Sequence, residues 1–340
     1  MAIVDSPEIA AVRGDPGRRR RASLRKLAAS LAPVPNALIV AFCVVVVTFF
    51  LIRVVLGDPA YQYAMNQNGG QPPAPSQVAA IRHSFGLDRP VLVQFGSYLV
   101  GLLHGDMGFS YQNLSVPVST VALGNLGTTA IMTALTIVTS ALIGIVLGLA
   151  VALARFRTLD NMVRLIAMVG ISAPTALVGL MLILSVSVAG RLLPAGGWGS
   201  GYPENFRYLV LPVATLVIWF APAILRVVLE RARAVFDEPF VEAALARGVP
   251  PLRLVVFHVL PSCALPVINF LALKTAWLLG GAVVTELVFG MPGLGHTMSS
   301  AITAADYPVI QACALLAGLL VVACTMTAAI VGRAIDPRTR

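Results

Sequence analysis

Asn36-Ala-Leu-Ile-Val-Ala-Phe-Cys-Val-Val-Val-Val-Thr-Phe-Phe-Leu-Ile-Arg-Val-Val-Leu56 carries one charged side chain, Arg53, in an otherwise apolar run. At a rise of ~1.5 Å per residue the run reaches ~31 Å as a helix, enough to cross the hydrocarbon core of a bilayer. It stops at Gly57-Asp58-Pro59, a helix-ending glycine followed by a breaker. Runs of the same kind recur at about Thr128 to Ala154, Met162 to Ala189, Leu209 to Leu229, Ala264 to Phe289 and Val309 to Val331. Together these runs predict an all-α polytopic membrane protein with six transmembrane helices.

The composition agrees. Hydrophobic residues make up 58% of the 340, and charged residues only 11%, where a soluble domain would be nearer a quarter charged. The net charge of +9 suggests nucleic acid at first sight, but the basic residues are not arranged for it. Seven lie between Arg13 and Lys26, and others fall in short connectors or at the C-terminus. With six spans both termini share one side. With Arg164 and Arg226 counted with their connectors, the first cluster, the connectors near 155–161 and 230–262 and the tail then hold 18 of the 24 Lys plus Arg. This is the positive-inside pattern: it places N- and C-termini in the cytoplasm and excludes a nucleic-acid partner. The early arginines are available to anionic membrane lipid. No small-residue cleavage site follows them, so a removable signal peptide is not expected. Cys43, Cys263, Cys313 and Cys324 lie in or beside apolar runs without metal-ligand spacing, and read as buried small hydrophobes.

Residues 237–261 are a connector far larger than two spans need. Asp237 can cap a helix, Pro239 fits its first turn, and Gly248 ends it with Pro250 and Pro251 beyond. Phe240, Val241, Ala244 and Leu245 would form its apolar face. A second helix starts near Pro251 with Leu252, Val255, Val256 and Val259 on one face, and Pro261 separates it from the fifth span. Two short amphipathic helices meeting at a glycine turn suit docking into a partner's groove; the alternative is helices lying on lipid headgroups.

This connector resembles the EAA loop of ABC importer permeases. Glu242-Ala243-Ala244, Gly248 four residues after Ala244, and Leu260-Pro261 carry the likeness; His258 stands where an aliphatic residue is usual. Phe85-Gly86-Leu87-Asp88-Arg89-Pro90, Gln94-Phe95 and Gly105-Asp106-Met107-Gly108-Phe109-Ser110 resemble the external region of the dipeptide/oligopeptide/nickel subfamily. So do Glu286-Leu-Val-Phe289, Pro292-Gly293-Leu294-Gly295, Asp306-Tyr307-Pro308 with Gln311, and Asp336-Pro337-Arg338. The resemblance implies an ABC importer type I permease fold and ATP-driven import of di- or oligopeptides by alternating access. It also implies four partner components: a second homologous permease subunit, two nucleotide-binding ATPase subunits, and an extracellular substrate-binding protein. Nickel complexes or oligosaccharides remain open as cargo, because the binding protein sets much of the selectivity.

The chain contains no Gly-Lys pair and hence no phosphate-binding P-loop. It is therefore expected to be a transport subunit rather than an enzyme, with no cofactor of its own; ATP and Mg belong to the partner ATPases. No His-Glu-x-x-His or Gly-x-Ser-x-Gly supports intramembrane catalysis. A self-contained secondary transporter is the other class. It would need coupled ionisable groups inside the membrane, and Lys274 and Glu286 are the main ones present. Lys274 could attract peptide carboxylates or touch the partner permease. Glu286 could meet a substrate amine or the binding protein, or pack into an external gate loop. Asp306 reads as a cap for the last span. Gly144 and Gly148 allow close helix approach, within one subunit rather than at a dimer seam.

The expected organisation in the bacterial inner membrane is a disordered basic cytoplasmic extension over 1–35, a first span over 36–56 and an external, periplasmic-side region over 57–125. A transmembrane permease core follows over 126–332, with the coupling loop at 237–261, and a cytoplasmic tail covers 333–340.

Overall fold

A computed structural model describes residues 33–154 and 157–335. The basic extension up to residue 32, Arg155 and the tail from Asp336 onward, which include expected disorder and the Asp336-Pro337-Arg338 motif, lie outside the described residues. Among those described, every named element is a helix.

Helix α1 (Pro33–Leu56) is the first span. Three shorter helices follow: α2 (Pro59–Gln67), α3 (Pro75–Ser84) and α4 (Val91–Leu103). Asp58 caps α2 by accepting from the Ala60 N–H at 3.0 Å, and its second oxygen accepts from Arg82 at 2.5 Å. One carboxylate thereby starts α2 and ties α3 to it.

The core is built on α5 (Val118–Ala154), α8 (Asn205–Phe236), α11 (Leu260–Phe289) and α13 (Tyr307–Ile335), with α11 between α8 and α13 and α1 laid on α13. Lipid is as apolar as leucine, so helices in a membrane associate through close packing and polar contacts rather than hydrophobic burial. Helix α5 provides a face of small residues, where Thr129, Thr133, Thr136, Ser140, Gly144 and Gly148 are all buried, and Thr129 adds a polar contact by donating to Glu286. A Cβ at Gly144 would lie 2.8 Å from the Ile224 side chain, and one at Gly148 would lie 2.9 Å from Val228. The Gly-x-x-x-Gly pair therefore seats α8 within this subunit.

Among the described residues, five helices are long and apolar enough to cross a membrane. The third apolar run, expected as one span from Met162 to Ala189, is broken. Helix α6 (Arg157–Ser172) and α7 (Thr175–Leu182) meet at Ala173-Pro174, and α7 relaxes into a π-helical stretch, Ile183–Ala189. Pro174 has no N–H for the ladder and its ring opposes the preceding turn's carbonyl, so the backbone leaves the helical region there (ψ 129°). The core helices also start and stop elsewhere than expected. Helix α5 begins at Val118, before the boundary at 126, and α8 has 32 residues, running well past Leu229. Cys263 and Cys313 are buried as expected and Cys324 is half-buried, but Cys43 sits exposed on the outer face of α1.

Candidate functional site

At one end of the bundle, α8 leads into α9 (Pro239–Ala246), a glycine turn, and α10 (Pro251–Leu254), which continues through a π turn (Val255–Val259) into α11. Asp237 closes α8 through its backbone N–H instead of capping α9; Glu238 holds the N-cap position, without a side-chain bond. Gly248 turns the chain at φ +81°, where a side chain is strained. Its N–H donates to Leu245 O at 2.9 Å, and Val249 N–H to Ala244 O at 3.1 Å. Arg247 Nε donates to Ala243 O at 3.0 Å, so the last carbonyls of α9 are occupied. Pro261 does not separate α10 from the fifth span. The π turn just before it accommodates the missing N–H, and the helix continues unbroken to Phe289.

The two faces of this hairpin differ from the expected ones. Val241, Leu254, Val255 and Val259 are buried in the core cluster that includes Ala232 and Val235 of α8. Phe240, Leu245, Leu252, Val256 and Phe257 are exposed, Leu252 by 70% and Phe257 by 67%. Glu242, Ala243 and Gly248 lie on the exposed side, Ala244 and Leu260 are half-buried, and Pro261 is exposed. A hairpin held rigidly from within thus presents an apolar outer surface.

Along α8 runs a chain of clefts. At the Pro174 break, Ser172, Pro174 and Thr175 face Trp219 and Trp277 across a space of about 570 Å³. The same two tryptophans border a second space of about 580 Å³ that also holds Lys274, Arg226, Glu230 and Phe270. Lys274 Nζ stands 5.6 Å from the Trp277 ring centroid, and among the described residues no carboxylate lies within ion-pair distance of it. Arg226 Nε donates to Glu230 Oε1 at 2.8 Å, one turn along α8. A third space, about 360 Å³, opens between α6 and α8 beside Arg226, Glu230 and Arg233. Cation, carboxylate and indole faces together can receive a molecule bearing both charges and apolar groups. Of these residues, only Lys274 and the α6–α7 break stand out in the sequence. Arg226-Glu230 has i,i+4 spacing but looks like an ordinary surface pair, and the tryptophans lie far apart along the chain.

At the opposite end, Glu286 is fully enclosed. Its Oε1 accepts from Thr129 Oγ1 at 2.6 Å, and its Oε2 accepts from the N–H groups of Gly295 at 2.7 Å and His296 at 3.2 Å. Thr129 Oγ1 accepts in turn from Leu294 N–H at 2.9 Å. The carboxylate therefore fastens the turn 290–293 and the first turn of α12 (Leu294–Thr303) to α5, and it lines none of the three clefts. The capping role expected for Asp306 is not what its side chain does. Asp306 accepts from the Ser110 hydroxyl and from Tyr111 N–H at 3.1 Å, fixing the loop before α5 against the start of α13.

Membrane-crossing helices, a broken helix beside a charged and aromatic cleft, and a rigid hairpin standing out at one end are the parts of a transport protein's translocating subunit. Residues 144–340 match the family described as binding-protein-dependent transport system inner membrane component, residues 31–142 match that family's N-terminal region, and the chain belongs to this family. It is thus a multi-pass inner-membrane protein and a permease subunit. A probable peptide ABC transporter permease protein of Sinorhizobium fredii is 30% identical over 295 residues, 86% of this chain and 92% of the relative. A glutathione transport system permease protein of Salmonella typhimurium is 32% identical over 311 residues, 91% of this chain and 96% of the relative. An inward-facing structure of the MetNI methionine ABC transporter has the same fold, with a TM-score of 0.50 at 19% identity over 64% of this chain and 96% of that one.

Proposed function

We propose that this chain is one permease half of an ATP-driven importer of short peptides. The relatives carry peptide and glutathione permease names, and the cleft along α8 offers a cation at Lys274, a carboxylate at Glu230 and two indole faces suited to a zwitterionic, partly apolar cargo. Lys274 attracts the cargo carboxylate, and Glu286 holds the external gate loop rather than touching cargo. The hairpin 237–261 is the coupling element, with Glu242, Ala243, Ala244, Gly248, Leu260 and Pro261 setting its shape.

The observation that carries this reading is the hairpin's division: four apolar side chains locked inward and an apolar surface left outward. The locked face transmits motion to α8 and α11 as a lever, while the outer face needs a cover. A nucleotide-binding subunit supplies it, binding the ATP and Mg that this chain does not. The partners are then a second homologous permease, two ATPases and an external binding protein. The excess of arginine and lysine on the hairpin side supports an orientation with the hairpin and both termini in the cytoplasm and 57–125 external. Closure of the ATPases pushes the hairpins together and rocks the bundle, exposing the cleft to opposite sides in turn.

The test is affinity purification of the tagged chain from native membranes in mild detergent, with mass spectrometry of its companions. Two P-loop ATPases and a second permease of this family are expected, and peptide uptake by the reconstituted assembly should require ATP. Uptake by the chain alone, without ATPases, would overturn the reading in favour of a secondary transporter.

A further inference from the structure

Arg53 lies three residues from the end of α1, where a long basic side chain ordinarily reaches out to lipid headgroups. Here it turns instead into an open cleft of about 400 Å³ formed where α1, α4, the 105–111 loop and the start of α13 meet. Nη1 donates to Phe49 O and Nη2 to Gln94 Oε1, each at 2.9 Å, and the guanidinium lies 3.5 Å from the Phe49 ring centroid. Gln94 is held in turn by the carbonyls of Leu87, at 3.2 Å, and Arg89, at 2.9 Å. A guanidinium has five N–H donors, so most of its capacity is unspent. Among the described residues no carboxylate pairs with it.

The other lining groups do not cancel the charge. Arg89 adds a second cation. Asp106 is the one carboxylate among the lining residues, and its Oδ1 is engaged by Gly108 N–H at 2.8 Å. Burial pushes the Tyr98 and Tyr111 hydroxyls up to about 12, so at neutral pH both are uncharged donors. A positioned guanidinium with spare forked donors, flanked by a second cation and neutral hydroxyls, suits an oxyanion. The cavity's wall also faces lipid. Helix α4 packs on α1 through Phe95 and Tyr98 against Phe49, with ring centroids 5.0 and 5.7 Å apart. Its opposite side exposes Leu92, Val100 and Leu103, Leu103 by 86%. A helix so disposed at the end of a span lies in the headgroup region with its apolar side among acyl chains.

From this juxtaposition we infer that the Arg53 cavity binds a phosphate oxyanion, carried by the headgroup of a phospholipid whose chains run along α4 and α1. The site fixes the external helices to the membrane-crossing bundle through a lipid and is separate from the cargo cleft.

The experiment is native mass spectrometry of the complete, detergent-purified complex, with phospholipid counted after repeated washing. The wild type should retain one phospholipid more than the Arg53→Gln variant, whose occupancy falls about tenfold or more with loss of a charge-assisted contact. Arg53→Lys should keep part of it. Arg89→Gln, an exposed change that leaves the fold alone, should lower occupancy several-fold and carries the test if Arg53→Gln fails to assemble. Displacement of the bound lipid by excess inorganic phosphate would support the oxyanion site with free phosphate as its source. Equal lipid retention in all variants, unchanged by phosphate, would overturn the proposal.

Discussion

The two ends of the bundle are finished in opposite ways. At the end away from the hairpin, buried carboxylates do the fastening: Glu286 takes three donors and Asp306 ties the loop before α5 to α13. The donors of both clusters come from within the chain. At the hairpin end, large apolar groups such as Leu252 and Phe257 are left outside. A buried polar cluster holds one arrangement firmly, because losing any acceptor strands donors in a dry place. An exposed apolar surface does the reverse, since it is incomplete until covered. One end is built to hold its own shape and the other to be held by something else.

Substitutions should separate the two. Glu286→Ala removes the acceptor of two backbone N–H groups and a hydroxyl and should destabilise the protein by roughly 3 kcal/mol or more, seen as a large fall in Tm in detergent. If Tm is unchanged, the end around Glu286 is not held as described. Gly144→Leu drives a side chain into Ile224 and should cost about 1–3 kcal/mol, again read as Tm. At the hairpin, Gly248→Val strains the φ +81° turn by about 1–2 kcal/mol, yet it should abolish cargo-stimulated ATP hydrolysis while the helices remain inserted. Normal coupled uptake by that variant would contradict the coupling role. Lys274→Ala should leave stability within about 0.5 kcal/mol and raise the cargo concentration for half-maximal uptake several-fold. An unchanged uptake curve would remove Lys274 from the pathway. At the small end, Arg82→Ala breaks a solvent-exposed pair with Asp58 and should leave Tm unmoved.

Most of the spans were legible in the sequence because a bilayer forces long apolar runs. What was not legible depends on neighbours. Pro174 and Pro261 look alike as helix breakers, yet one interrupts the backbone and the other is accommodated by a π turn. Which apolar residues of the hairpin turn inward depends on where α8 passes, so Val241 is buried while Phe240 and Leu245 are exposed. The meeting of Trp219 with Trp277, and of Glu286 with the first turn of α12, joins positions that no local spacing links.

The central claim, that the outward face of the hairpin is covered by an ATPase, is tested most directly by a photo-crosslinking residue at Leu252 in the complete complex in native membranes. The account predicts an adduct with a nucleotide-binding subunit whose yield changes between the nucleotide-free and ATP-bound states. Adducts only with lipid, in either state, would mean that the hairpin rests on the membrane surface and does not couple to ATP.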